Sequence, residues 1–165
     1  MAYQSAAIGI SRRPANENKQ GGVTLIEMAL ITPVFLMLMI GVIEMSMAYF
    51  ANMTMQHAVR EGARYAITGS KDRDPASANR QRYQAVIQQM KESSMGMYDK
   101  VSPVISVNGS TQAGADMFGA AGDIVVISVD CHWRFATPMV KALFKDGKAH
   151  FVVAATMRNE RFDGL

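Results

Sequence analysis

Gly21-Gly22-Val23-Thr24-Leu25-Ile26-Glu27-Met28-Ala29-Leu30 decides how this chain is to be read. A glycine pair separates a polar leader from an apolar run, and one acid stands at the fifth position after Gly22. From Met28 to Ile43 there is no charged residue at all. From Val23 to about Thr68 no strong turn signal interrupts the pattern, so one long helix is expected, and its first half, to about Ala48, is long enough to cross a bilayer. Pro33 and Gly41 fall inside that span, where membrane helices tolerate both, and a bend near Pro33 is expected rather than an end. A carboxylate deep in a bilayer costs about 2.5–3.5 kcal/mol, so Glu27 needs a reason to be there. The plain reason is a water-facing helix start, where the dipole favours an acid.

Upstream, residues 1–22 read as a disordered leader, with Gly9, Pro14 and the Asn16-Glu17-Asn18-Lys19-Gln20 cluster breaking any periodicity. It is not an ordinary secretory signal, because such a peptide is cut after its apolar region and the glycine pair lies before it. Arg12, Arg13 and Lys19 flank the membrane end, which by the positive-inside rule places the N-terminus in the cytoplasm and the remainder outside it. These leader charges, offset by Glu17, supply +2 of the net charge of +3. Little basic charge is left for a folded face, which argues against nucleic-acid binding. Cys131 is the only cysteine among the 165 residues, so no intramolecular disulfide can form.

Downstream of Tyr49 and Phe50, which suit the outer interface, the helix turns amphipathic: Met53, Gln56, Arg60 and Arg64 interleave with Ala58, Ala63 and Ala66. Gly69-Ser70 ends it and Lys71 to Asp74 is a loop. Asp74-Pro75 is a helix-start signal, and Tyr83, Val86, Ile87 and Met90 at helical spacing predict a second helix over 75–92. The last seventy or so residues switch to period two. Val104 to Val107 is a short strand followed by an Asn108-Gly109 turn, and 109–122 is a Gly/Ala-rich loop. Val125, Ile127, Val129, Cys131, Trp133 and Phe135 then alternate with Ser128, Asp130, His132 and Arg134, the pattern of a half-buried strand. Thr137-Pro138 starts a short helix with Met139, Val140, Leu143 and Phe144 as its buried side, ended by Gly147. Phe151, Val153, Ala155 and Met157 alternate through a final strand. The expected fold class is α+β, divided into a leader (1–22), a transmembrane helix (23–50), a helical stalk with the second helix (51–95) and a β-rich extracytoplasmic domain (96–165).

The basic leader, Gly22, the acid at Glu27 and the apolar helix together resemble a type IV pilin-class signal. That resemblance implies cleavage by a prepilin peptidase between Gly22 and Val23, and pairing of Glu27 with the new terminal amine of a neighbouring subunit. Gly41-Val42-Ile43-Glu44-Met45, followed by Ala58-Val59-Arg60-Glu61-Gly62-Ala63-Arg64-Tyr65-Ala66, is similar to the TadE-like family, minor pilins or pseudopilins of tight-adherence (Flp) pilus assembly. Met45 stands where that family usually has Phe. Gly122-Asp123-Ile124-Val125-Val126 and Ala154 to Glu160 resemble the family's central and closing strands. The family implies anchoring in the bacterial inner membrane, with a periplasmic or extracellular C-terminal domain. It implies as partners the prepilin peptidase, other pilins or pseudopilins and the pilus assembly platform. No catalytic activity, cofactor or metal is implied.

Other readings keep their place beside this one. A minor pseudopilin of a type II secretion system shares the same signal, and an uncleaved single-pass binding module would share only the anchor. Glu44 is read either as an interfacial acid reaching out of the membrane or as a polar contact with a partner helix. Arg60, Glu61 and Arg64 have the spacing of a local ion pair on a solvated face. Gly62, costly in mid-helix by about 0.8–1 kcal/mol, points to close approach of another backbone. An anchored hydrolase finds little support: Cys131 and His132, adjacent on a strand, face opposite ways and cannot act as nucleophile and base. His57 and Glu61 have a metal-compatible spacing that is common by chance, and Gly114 to Gly119 lacks the Lys-Ser/Thr of a phosphate loop.

Overall fold

The computed structural model describes residues 20–161, apart from 77, 113, 115 and 116. The leader from Met1 to Lys19 therefore lies outside the described residues. The chain forms two units, 1–40 and 41–165.

In the first unit the described part is the beginning of helix α1, which as a whole runs Gln20–Ala66. The helix starts three residues before the expected Val23 and continues through Pro33. Every residue from 22 to 40 is exposed, including Leu25 (71%) and Leu30 (75%). Among the described residues, α1 is the one helix long and apolar enough to cross a membrane.

The second unit is an α+β layer pair, as the switch in periodicity predicts. From Gly41 onward α1 carries a buried face of Ala48, Ala51, Met55, Ala58, Val59, Ala63 and Ala66. Their three- and four-residue spacing makes one helical stripe, and the alanines allow close approach of what packs on it. Gly69 ends the helix in the left-handed conformation, φ 71°, with its N–H donated to Ala66 O at 3.3 Å.

Helix α2 is Arg82–Ser93, seven residues shorter at its start than expected. The Asp74-Pro75 signal instead organises a loop: Asp74 Oδ1 accepts the Ala76 N–H at 2.9 Å and Oδ2 accepts the Gln81 N–H at 2.5 Å. Those two backbone donors hold the Asp74 carboxyl below its ordinary value, Gln81 contributing most. A capping acid serves a turn as readily as a helix start, and here it clamps the turn.

After a 3₁₀ turn at Tyr98–Lys100 come strand β1 (Val104–Val107), strand β2 (Ile124–Arg134), helix α3 (Pro138–Leu143), a second 3₁₀ turn (Lys145–Gly147) and strand β3 (Lys148–Arg158). They form one antiparallel sheet in the order β1-β2-β3. Asn108 and Gly109, both at positive φ, make the tight turn after β1. In β2 the inward set is the expected one, with Val125, Ile127, Val129 and Cys131 buried. The main core joins these to Met55, Val59 and Ala63 of α1 and to Val86 and Met90 of α2. A smaller cluster joins Ala48 of α1 to Phe135 and Val140.

α3 departs from the expected pattern. Val140 is buried and Phe144 half-buried against Phe135, but Met139 (47%) and Leu143 (79%) are exposed. Six residues give less than two helical turns, so only one position can face the core squarely.

Candidate functional site

The sequence points to α1 as the functional element, and its residues fall into three places. At its start, Gly22 and Val23 lie in the first turns of the helix and are exposed, with open space around Gly22. The glycine pair makes local unwinding there cheap, since each glycine disfavours helix by about 0.8–1 kcal/mol relative to Ala. Glu27 is also exposed, one turn further on, and among the described residues it has no hydrogen-bond or ion-pair partner. Among the described residues nothing satisfies its carboxylate, which stands on an apolar surface.

Glu44 is placed differently from either expectation. Its Oε1 accepts the backbone N–H of Thr137 at 2.7 Å, so its partner is the N-terminal end of α3 in the same chain. The acid takes up the backbone N–H of the N-cap residue, whose own side chain makes no cap bond, and sets a negative charge at the start of α3. Glu44 Oε2 and Thr137 Oγ1 are both buried without a hydrogen-bond partner.

The Arg60-to-Ala66 stretch ends α1. Arg60 and Arg64 are exposed and Glu61 is half-exposed. The expected ion pair among them does not form in the described residues, where the salt bridges of this region are Arg73–Glu92 at 2.6 Å and Lys91–Asp99 at 3.1 Å. Glu61, Arg64, Tyr65, Thr68, Arg73 and Gln89 instead line a shallow pocket of about 230 Å³. Tyr65 donates its hydroxyl to Asp72 Oδ1, and the Arg73 N–H donates to the Tyr65 hydroxyl at 3.3 Å. Burial, then the Asp72 contact, pushes the Tyr65 phenol up, while the Ser70 and Tyr65 hydroxyls hold Asp72 below its ordinary value.

Gly62 makes a close approach, but to a side chain rather than a backbone. A Cβ at that position would fall on Met90 Cγ and lie 2.8 Å from Met90 Cε. The glycine is therefore the seat for α2 on α1.

Sequence reasoning missed the hub that holds this region together. Arg82, at the start of α2, donates to Ala66 O from Nε (3.1 Å) and from one terminal nitrogen (2.6 Å), and to Gly119 O from the other (2.7 Å). It also donates to Asn159 Oδ1 at 3.0 Å. Asn159 in turn donates its amide to Phe118 O and Ala120 O, both at 2.8 Å. The last carbonyl of α1, Ala66 O, is thus satisfied by a guanidinium, and Ile67 O just beyond it by the Glu160 N–H at 3.0 Å. An arginine opening a helix after a loop gives no local sign of this role. Asn159 was visible only as part of the closing motif.

Cys131 and His132, weighed as a nucleophile–base pair, are not brought together. Cys131 is fully buried, and burial pushes its thiol up to about 12, which leaves it protonated and inert. His132 lies on the opposite face of β2, as expected. His57 is exposed on α1.

No curated protein and no solved structure matches this chain. The family model described as TadE-like protein matches residues 22–64. That span runs from Gly22 through Glu27 and Glu44 to Arg64, and over it this chain is similar to the TadE-like family.

Proposed function

We propose that this protein is a minor pilin or pseudopilin acting in assembly of tight-adherence (Flp) pili. In this reading it is anchored in the bacterial inner membrane by the first part of α1, with the leader cytoplasmic and the α+β unit periplasmic or extracellular. One observation carries the reading: the TadE-like match covers an exposed apolar helix whose acid, unpaired among the described residues, sits at the fifth position after a glycine. As a helix, Gly22 to Ile43 is roughly 33 Å long at 1.5 Å per residue. The hydrocarbon core of a bilayer is about 30 Å thick, so this stretch suits a single span.

Cleavage after Gly22 by the prepilin peptidase leaves an ammonium on Val23. In a low-dielectric surrounding, a carboxylate such as Glu27 is strongly favoured by an ammonium that supplies the opposite charge. A helix carrying both groups four residues apart can engage a neighbouring pilin in one register only. Apolar packing then supplies adhesion between helices, and the acid–amine pair supplies alignment. No catalytic step belongs to this reading.

N-terminal sequencing of the mature protein from membranes tests it. The expected mature start is Val23, and Gly22→Ala should leave the leader in place. Glu27→Gln should insert normally yet fail to support piliation. A wild-type protein that still begins at Met1 would refute the pilin reading and leave an uncleaved anchored module.

A further inference from the structure

The antiparallel register of β2 and β3 sets His132 directly opposite His150, eighteen residues away in sequence. Asp130 lies two residues from His132 along β2 and so shares its face. Asp130 Oδ1 is 2.8 Å from His150 Nε2 and 3.4 Å from His132 Nδ1. The two imidazole rings are 4.8 Å apart between centroids and tilted by 39°. One ligating atom from each of the three residues lies within 4.8 Å of the others. We propose that Asp130, His132 and His150 form a binding site for a zinc-class divalent metal on the outer face of the β2–β3 pair.

The donor set selects the metal. Two neutral imidazoles and one carboxylate suit zinc and its neighbours in the transition series, whereas calcium and magnesium require oxygen ligands. Arg134 and Lys148 are paired one step further along the same face, so binding here must rest on the imidazole donors rather than on net negative charge. Zinc bound at about 2.0–2.1 Å in a tetrahedron needs donors about 3.3 Å apart. The separations from Asp130 Oδ1 bracket that spacing. The ligands stand on two paired strands whose opposite face is packed in the core, so their backbones are already fixed. All three side chains remain between 41% and 54% exposed, leaving a path for the ion. Three protein ligands leave the fourth coordination position open to water or to a donor from another subunit.

The same three groups could be no more than a surface ion-pair cluster, which contributes little to stability. Zinc titration of the full chain in detergent, without a polyhistidine tag and against a chromogenic chelator, separates the two. The expected result is one equivalent of zinc, with intense visible bands of four-coordinate cobalt when cobalt replaces it. His132→Ala and His150→Ala should each weaken binding about 100-fold or more, beyond the roughly 10–100-fold typical of losing an outer-shell partner. Asp130→Asn should weaken it at least about tenfold, and His57→Ala should leave it unchanged. Fluorescence of Trp133 reports whether each variant remains folded. As a check that needs no variant, zinc should shift the ring resonances of His132 and His150 but not those of His57. Absence of saturable binding, wild-type affinity in the two histidine variants, or ring shifts confined to His57 would overturn the proposal. The site does not depend on the pilus reading.

Discussion

Gly62→Ala should destabilise the folded unit, although alanine is the better helix former. In an open helix the substitution would gain about 0.8–1 kcal/mol. Here the new Cβ falls on Met90 Cγ and 2.8 Å from its Cε, and Met90 is fully buried with no route to solvent. Overpacking of this kind costs about 1–3 kcal/mol. The opposing effects leave a net loss of about 1 kcal/mol. Met90→Ala alone should cost about 2–5 kcal/mol through the cavity it leaves. In that background Gly62→Ala should become stabilising by about 1 kcal/mol, since the helix gain is then unopposed. The coupling between the two sites is therefore about 2 kcal/mol. Guanidinium unfolding of the full chain in detergent, followed by fluorescence of the single tryptophan, Trp133, measures all four corners of the cycle. If Gly62→Ala stabilised both backgrounds equally, the seat argued for Met90 would not exist.

Further outcomes follow from the other contacts. Arg82→Met should cost about 1–3 kcal/mol in the same unfolding assay, because Gly119 O loses its guanidinium donor and Ala66 O is left with the Gly69 N–H alone. Glu44→Ala should cost about 1–3 kcal/mol and Glu44→Gln less, since glutamine keeps an acceptor for the Thr137 N–H. Cys131 should resist alkylation in the native protein and react at once in denaturant, as mass spectrometry will show. The depressed carboxyls of Asp72 and Asp74 contribute stability that is fully present above their ordinary value of 3.8 and is lost as pH falls through the lower folded values. Unfolding midpoints should therefore drop below about pH 4, and Asp74→Asn should flatten that dependence.

What was legible in the sequence was whatever a local pattern could encode. β2 was readable residue by residue because one face is wholly buried, so its period-two alternation has no exceptions until Trp133. The long helix was readable because nothing breaks it for more than forty residues. The start of α2 was misplaced because an Asp-Pro pair has the same chemistry in a turn as at a helix start, and the deciding bond runs from Asp74 to Gln81. Glu44 was ambiguous because its partner, Thr137, is 93 residues away. The Asp130–His132–His150 group was invisible for the same reason, since only strand register brings His150 to the other two. For Glu44 and for the Asp130–His132–His150 group the missing information was long-range pairing.

The Arg82–Asn159 hub also bears on the order in which the molecule can be made. The carbonyl end of α1 receives its donors from residue 82 and from residue 160, and Asn159 is 77 residues beyond the guanidinium it meets. While the polypeptide is still being synthesised, the long helix can form, but its end stays hydrated and the sheet lacks its third strand. Such distant closure is slow, because much chain must be gathered before any contact rewards it. The second unit therefore becomes a finished body only once Asn159 and Glu160 are made, and a chain stopped before Asn159 should emerge with its three strands but without the contacts of Asn159 to Arg82 and of Glu160 to Ile67.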